Sequence, residues 1–425
     1  MTFSIISPIR NRHRRIFLLI AVLAASLCLA HLSWASGAYE RPVPLQAKQF
    51  LEKSLLSGPN HSVSNKVLND GFINTYAVSS RFGSFRAFST LALTKLVHEL
   101  NVIAQMEKVE ESSTLKNSLG ESVENTAKGL KRLFTDPKGT FEKAASGLGR
   151  LFERTDEVIK SKKSQAEDNR FKQFIGFSKS KREVAAKFNV DVYSSNGALI
   201  EQLDRIAMAD YLGGISLGAA LIAVPGPAGI VLSTSGGARL LREVIRTTPP
   251  AELRIKNRQK LEQMGTDPNL IDLFINNAVF SPLDQTMLVM VLESMPKVKN
   301  RSLLVKVACL VQKAEVAFLV ARTAALYAEY NNTVNKLRRF IPVARILYAQ
   351  TAANTSLIML PTDYVIWSQR FKEAMQYIKS KSGAAKCEIW VTGRLSPLTT
   401  KKLKSAGWKI HTQAGKRLFP KSKKQ

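Results

Sequence analysis

The hydrophobic pattern of the chain is centred on one unbroken run, Tyr211 to Ala238, with no charged residue between Asp210 and Arg239. Its length would serve to cross a bilayer, which takes roughly 20 apolar residues as a helix. Its interior argues for another state. Pro225-Gly226-Pro227 sits at the centre, removing amide donors and clashing with a preceding helical turn. Seven glycines lower helix propensity further while allowing close backbone packing. The run is expected to form two short apolar helices around a tight turn, a hairpin buried in the protein. Membrane insertion of the same hairpin is the alternative, because membrane helices tolerate Pro and Gly.

Elsewhere the spacing is mostly that of amphipathic helices. Leu91, Leu93, Leu96, Val97, Leu100, Ile103 and Met106 mark one face of a helix. In a Lys- and Ser-rich region, 107–190, the pattern Gly-Leu-Lys-Arg-Leu-Phe at 129–134 returns as Gly-Leu-Gly-Arg-Leu-Phe at 147–152. The offset is about five helical turns, and Asp136-Pro137 divides the stretch into two amphipathic helices. Their stripes, Leu130, Leu133 and Phe134, then Leu148, Leu151 and Phe152, either cover the hairpin or lie beside their cations on a membrane or partner surface. Further on, Ser195 or Asn196 is placed to cap a helix over 198–210, Thr248 to cap another ahead of Pro249-Pro250, and Asp267-Pro268 and Ser281-Pro282 to start two more. An Ala-rich helix from about 301 to 337 reads as a buried spine.

Shorter runs depart from this pattern. Residues 42–70 read as one helix (LQAKQFLEKSLL) and a loop, and 72–88 as two short strands or a strand and a turn. Residues 343–350 and 356–360 read as strands joined at Asn354, and Thr362-Asp363 as the cap of a helix carrying Trp367 and Phe371. The tail, 387–412, reads as strand, helix, strand. The expected fold is therefore mainly α: a multi-helix bundle around the Gly/Pro-rich hairpin, with a few short strands and a small C-terminal β-α-β unit. The expected segments are 1–38, 39–106, 107–190, 191–340 (holding the hairpin, 211–238) and 341–425.

The first segment has the form of an export signal: Arg10, Arg12, Arg14 and Arg15, an apolar run from Ile16 to Leu32, and small residues allowing cleavage after Ala35 or Ala38. The ordinary secretory route is expected, with a twin-arginine route the alternative at Arg14-Arg15-Ile16-Phe17-Leu18. The expected location is the periplasm or cell envelope of a Gram-negative bacterium. Cys309 and Cys387 are the cysteines beyond the signal, able to pair in an oxidising compartment but too few for a disulfide framework. A formal net charge of +29 points to anionic lipid head groups or an acidic envelope polymer as partner, with a protein partner the alternative and nucleic acid not expected for an exported chain.

At IGFSKSKREVAAKFNVDVYSSN, REVIRTTPPAELRIKNRQKLEQMG, LPTDYVIW and TGRLSPLTTKKLKSAGWKI the chain resembles a family of uncharacterised exported proteins of Proteobacteria, over roughly residues 65–412. The resemblance implies an envelope location and a single integrated helical architecture. It brings no activity, cofactor or active site.

Catalytic patterns are scarce. His61, His98 and His411 have no carboxylate or cysteine at catalytic or metal-ligand spacing, and no metal or cofactor is expected. Ser178-Lys179-Ser180-Lys181 and Ser194-Ser195-Asn196 echo two motifs of penicillin-recognising enzymes, but they lie too close together and no Lys-Thr-Gly follows. Arg182, Asp191, Tyr193 and Asn196 form a polar cluster beside the hairpin, readable as a hydrogen-bonding network or as a ligand site. Asp363, next to Tyr364 and Trp367, is a candidate pocket edge. The expected function is non-enzymatic binding or structural work at an anionic surface, through 107–190. The alternatives are an integral membrane protein and an enzyme of unrecognised type using Arg182, Tyr193 and Asp363.

Overall fold

The computed structural model describes residues 39–111, 165–211, 236–343, 346–383 and 386–419, with side chains from Gly176 onward in the second stretch. The signal, the Leu-Phe stripes at 130–134 and 148–152, and most of the apolar run lie outside the described residues. The chain divides into two compact units, Met1–Glu40 and Arg41–Gln425, and the described strands and helices all belong to the second.

Its N-terminal part is a sheet. Strands β1 (Leu45–Gln46), β2 (Ser57–Gly58), β3 (His61–Val63), β4 (Lys66–Asn69), β5 (Asn74–Ser80) and β6 (Gly83–Phe88) pair antiparallel in the order β1-β4-β5-β3-β2, with β6 also on β5. β5 alternates, burying Asn74, Tyr76 and Val78, which is the period of a half-buried strand. The helix expected in 42–70 is absent. Ala47, Leu51 and Leu55 are buried at helical spacing, but Leu45 pairs with Val67 and the Ala47 amide donates to Asn65 O at 2.8 Å. What remains is a 3-10 turn, Ala47–Gln49, and one α-helical turn, α1 (Lys53–Leu56). A long-range ladder has overridden local propensity.

The helical layer begins with α2 (Thr90–Glu111), whose predicted stripe from Leu91 to Met106 is buried. Then come α3 (Gln165–Lys187), α4 (Gly197–Tyr211), α5 (Gly236–Thr247), α6 (Pro250–Gln263), α7 (Pro268–Ile275), α8 (Pro282–Glu293), α9 (Leu303–Cys309) and α10 (Ala314–Thr333). Gly176 is where α3 meets the end of α4: a Cβ there would lie 2.5 Å from the Tyr211 ring. Asp267 and Ser281 cap α7 and α8 as expected, accepting from Asn269 N at 2.8 Å and Asp284 N at 3.0 Å. At α6 the cap position belongs to Pro249, without a side-chain bond, and not to Thr248. The spine expected over 301–337 is two helices, because Asn277 Nδ2 donates to the carbonyls of Ala308 (3.2 Å) and Val311 (3.0 Å) and Lys313 is extended.

The C-terminal part is a second sheet. Strands β7 (Leu337–Val343), β8 (Ile346–Thr351) and β9 (Thr355–Leu360) are antiparallel, with Asn354 at φ 55° in the last turn. β9 then pairs in parallel with β11 (Lys386–Val391), and β11 with β13 (Trp408–His411). The crossovers carry α11 (Gln369–Ser382) and α12 (Pro397–Ser405), and α13 (Ala414–Leu418) comes after β13. A short parallel pair, β10 (Tyr364–Val365) with β12 (Arg394–Leu395), stands apart. By strand alternation Leu357, Met359 and Trp390 face the main core; Tyr330 of α10 meets Trp390 edge-on at 5.4 Å. Ile358, Ile389 and Val391 are buried too, but outside that core cluster.

These two sheets, of six and five strands, correct the expected fold. The described residues form a mixed α/β structure and not the expected multi-helix bundle, and residues 212–235 of the apolar run lie outside them. The tail's strand–helix–strand is the end of a larger sheet, not a separate small unit. No helix among the described residues is long and apolar enough to cross a membrane.

Candidate functional site

Asp191 and Asn196 of the expected polar cluster lie around a residue that sequence reasoning missed, Lys95. Lys95 and Glu99 are four residues apart on α2, so they share one helix face. The turn between α3 and α4 folds against them. Asn189 supplies a left-handed position (φ 54°), Asp191 Oδ1 accepts from Tyr193 N at 2.9 Å, and Asn196 Oδ1 accepts from Leu199 N at 3.4 Å to cap α4. Lys95 Nζ thereby lies 3.0 Å from Glu99 Oε1, 3.4 Å from Asp191 Oδ2 and 3.3 Å from Ser194 Oγ. Ser194 Oγ donates to Glu99 Oε1 at 2.7 Å, and Asn196 Nδ2 to Glu99 Oε2 at 3.2 Å. Asp284 of α8, ion-paired with the buried Arg322, adds its field.

This arrangement orders charge and does not activate a nucleophile. Burial would lower the Lys95 pKa, but Glu99 and Asp191 overturn that and raise it. Burial raises Asp191 against the pull of Lys95. A protonated lysine cannot take the proton of Ser194, whose hydroxyl already donates to Glu99 and is buried. The two penicillin-enzyme motifs go to different partners: Lys181 pairs with Asp204 at 2.6 Å, Ser180 Oγ donates to Asp210 Oδ2 at 2.7 Å, and Ser194 stays with Lys95.

Arg182 and Tyr193 lie at the margin of the network. Arg182 is buried and donates Nε to Arg246 O at 3.2 Å; burial lowers its pKa, with Tyr193 and Glu183 opposing. The Tyr193 hydroxyl has no hydrogen-bond partner among the described residues, and burial raises its pKa. Outside them is a depression of about 250 Å³ lined by Glu183, Ala186, Lys187 and Arg246.

Asp363 belongs to another place altogether. It does not cap its own helix, which begins at Gln369 with Ser368 as cap. Its carboxylate, 6% exposed, accepts from the amides of Thr90 (Oδ1, 2.9 Å) and Asn74 (Oδ2, 2.9 Å). It so caps α2 and ties β5 to the end of β9. Burial pushes its pKa up to about 6, against those amides. Nor is it a pocket edge. In open α/β sheets ligands bind beyond the carboxyl ends of the parallel strands, and here residues 71–74 fill that place. Asp363 N donates to Phe72 O, Ile366 N to Gly71 O, and Arg394 N to Asp363 O, at 2.9, 3.1 and 2.9 Å. A Cβ on Gly393 would stand 1.9 Å from Asp363 O.

The structure therefore brings Arg182, Asp191, Tyr193 and Asn196 together and leaves Asp363 out. Lys95 and Glu99 were missed, and Ser194 was noted only within a rejected catalytic motif; the signal was a Lys and a Glu one turn apart, on a face bounded by buried Leu91 and Val102. Sequence spacing also hid Glu388 and His411, which meet at 3.3 Å across neighbouring strands, with Trp390 stacked on the imidazole at 4.1 Å. Arg417 Nη1 points at His411 Nδ1 (3.3 Å), so the network assigns the ring proton to Nε2, facing Glu388. Cys309 and Cys387 are free thiols. Among the described residues no group of three His, Cys, Asp or Glu side chains could hold a metal ion. No protein family, no curated protein and no solved structure matches this chain.

Proposed function

We propose that the protein is an exported, non-enzymatic component of the cell envelope that holds electrostatically to an anionic surface. One observation carries the reading: the buried charges of Lys95, Glu99, Asp191, Asp284 and Arg322 are spent on one another, while the sequence holds 62 Lys and Arg against 33 Asp and Glu. An excess of that size acts on partners and not on the fold. The test is binding of the mature protein to anionic and zwitterionic vesicles and to an acidic polysaccharide, over a salt series. Binding to an anionic target that falls as salt rises is the expected result. Equal, negligible binding to all of them at low salt would sink the reading.

The envelope location is part of the proposal and rests on residues 1–38 and on the resemblance of the quoted segments. The mass of the mature chain recovered from periplasm tests it: loss of residues through Ala35 or Ala38 is expected.

A further inference from the structure

The charge excess is not spread evenly, and the region with the most conspicuous lysines is not where it lies. Residues 107–190 hold 18 Lys and Arg but also 13 Asp and Glu. Residues 369–425 hold 15 Lys and Arg against Glu373 and Glu388 alone. We infer that the outer face of α11 and α12 is a docking surface for an anionic lipid head-group plane, which the protein touches without inserting a helix. This rests on the proposed function and names the site and partner for it.

The geometry comes from the parallel sheet. β9, β11 and β13 succeed one another in one direction, so right-handed crossovers put α11 and α12 on the same face. Lys379 Nζ of α11 donates to Ala406 O just past α12, so the C-terminal ends of the two helices approach one another. Each turns its apolar residues inward: Phe371, Met375 and Ile378 from α11, Leu403 from α12. Outward stand Lys379, Lys381, Lys401, Lys402 and Lys404, all exposed. The sole carboxylate on either helix is Glu373, which accepts from Gln369 at 2.9 Å.

Three features choose lipid over a polymer strand. Two helices on one face of the sheet present a broad surface, which suits a plane of charges. Apart from Arg370 in the first turn of α11, the exposed cations of these two helices are lysines, compact point charges without the fork that recognises one phosphate or carboxylate bidentately. Tyr377 stands 47% exposed beside them, with Lys381 Nζ 5.9 Å from its ring centroid; tyrosine is enriched at head-group depth. With the aliphatic faces turned inward, these helices have nothing to bury in the acyl region, and the contact stays superficial.

The test is co-sedimentation of the full mature chain with mixed phosphatidylglycerol–phosphatidylethanolamine vesicles at low ionic strength, with phosphatidylcholine vesicles as control. The Lys401→Gln, Lys402→Gln, Lys404→Gln triple variant is compared with Lys297→Gln, Lys306→Gln, Lys313→Gln, which removes the same charge from exposed positions elsewhere. Far-UV circular dichroism checks that both fold. The α12 variant is expected to bind on the order of a hundredfold more weakly, with the control near wild type. Wild-type binding that the α12 variant retains, or that both variants lose equally, overturns the docking site while the proposed function stands. Wild-type binding to acidic polysaccharide but not to vesicles overturns the lipid partner alone. Binding to neither overturns both.

Discussion

Replacing Asp363 by Asn should change the sign of its effect with pH. At neutral pH the wild type carries a buried carboxylate whose pKa is raised from 3.8 to about 6, burial being the cause. At 1.36 kcal/mol per unit this penalises the folded state by about 3 kcal/mol above pH 6. The sign is fixed by the proton. A group with the higher pKa in the folded state binds its proton more tightly there, so its contribution to stability rises as pH falls from about 6 toward 3.8 and is flat above. Between pH 7 and pH 4.5 the wild type should gain about 2 kcal/mol from this group. Asp363→Asn removes the charge but keeps one acceptor for two amides, leaving Asn74 N or Thr90 N unpaired at a cost of about 1–3 kcal/mol. At pH 7 the variant should thus equal or slightly exceed the wild type. At pH 4.5 it should be less stable by about 1–2 kcal/mol. Urea unfolding of both proteins at pH 7, 6 and 4.5 measures it, the difference between them cancelling all other titrations. Stability differences that stay constant across that range would refute the argument.

Three further outcomes are expected. Lys95→Met leaves Glu99 and Asp191 buried without their cation and should cost about 3–5 kcal/mol in a urea titration, with Lys95→Arg recovering part of it. Gly393→Ala drives a Cβ into the Asp363 backbone, and since backbone cannot yield as a side chain does, the variant should be recovered mainly as insoluble protein. Glu388, held near pKa 2 by the His411 hydrogen bond and then by Trp390 and Lys409, stabilises the fold above its unfolded pKa of about 4.5. That contribution is lost as pH falls toward 2, so Glu388→Gln should flatten the acid limb of a thermal-melt profile.

What the sequence revealed depended on how local the cause was. The α2 stripe, the caps at Asp267 and Ser281, and the turn at Asn354 are decided within a few residues, and each is where its pattern put it. The sheets are decided by partners far away. Nothing near Leu45 announces Val67, and the helical spacing of Ala47, Leu51 and Leu55 points the wrong way until that ladder forms. Asp363 fails for the same reason. Thr362-Asp363 is a good local cap signal, but the helix it caps is α2, which starts at Thr90. The cluster at 182–196 was visible because its loop is short and polar; Lys95 was not, being supplied by another helix.

The filling of the carboxyl end of the parallel strands by residues 71–74 has a consequence for the order of assembly. Asn74 and Asp363 are 289 residues apart, Asn69 and Tyr364 are 295, and Gln49 and Arg394 are 345. The chain emerges N-terminus first, so β5 and the start of α2 wait almost a whole chain length for the groups that complete them. Such non-local closures slow folding, because the entropy of a long loop is lost before its contacts repay it. Until then the first strands present open edges. A nascent chain arrested before Asp363 would leave the amides of Asn74 and Thr90 without their acceptor, and one arrested before Arg394 would still lack its bond to Gln49.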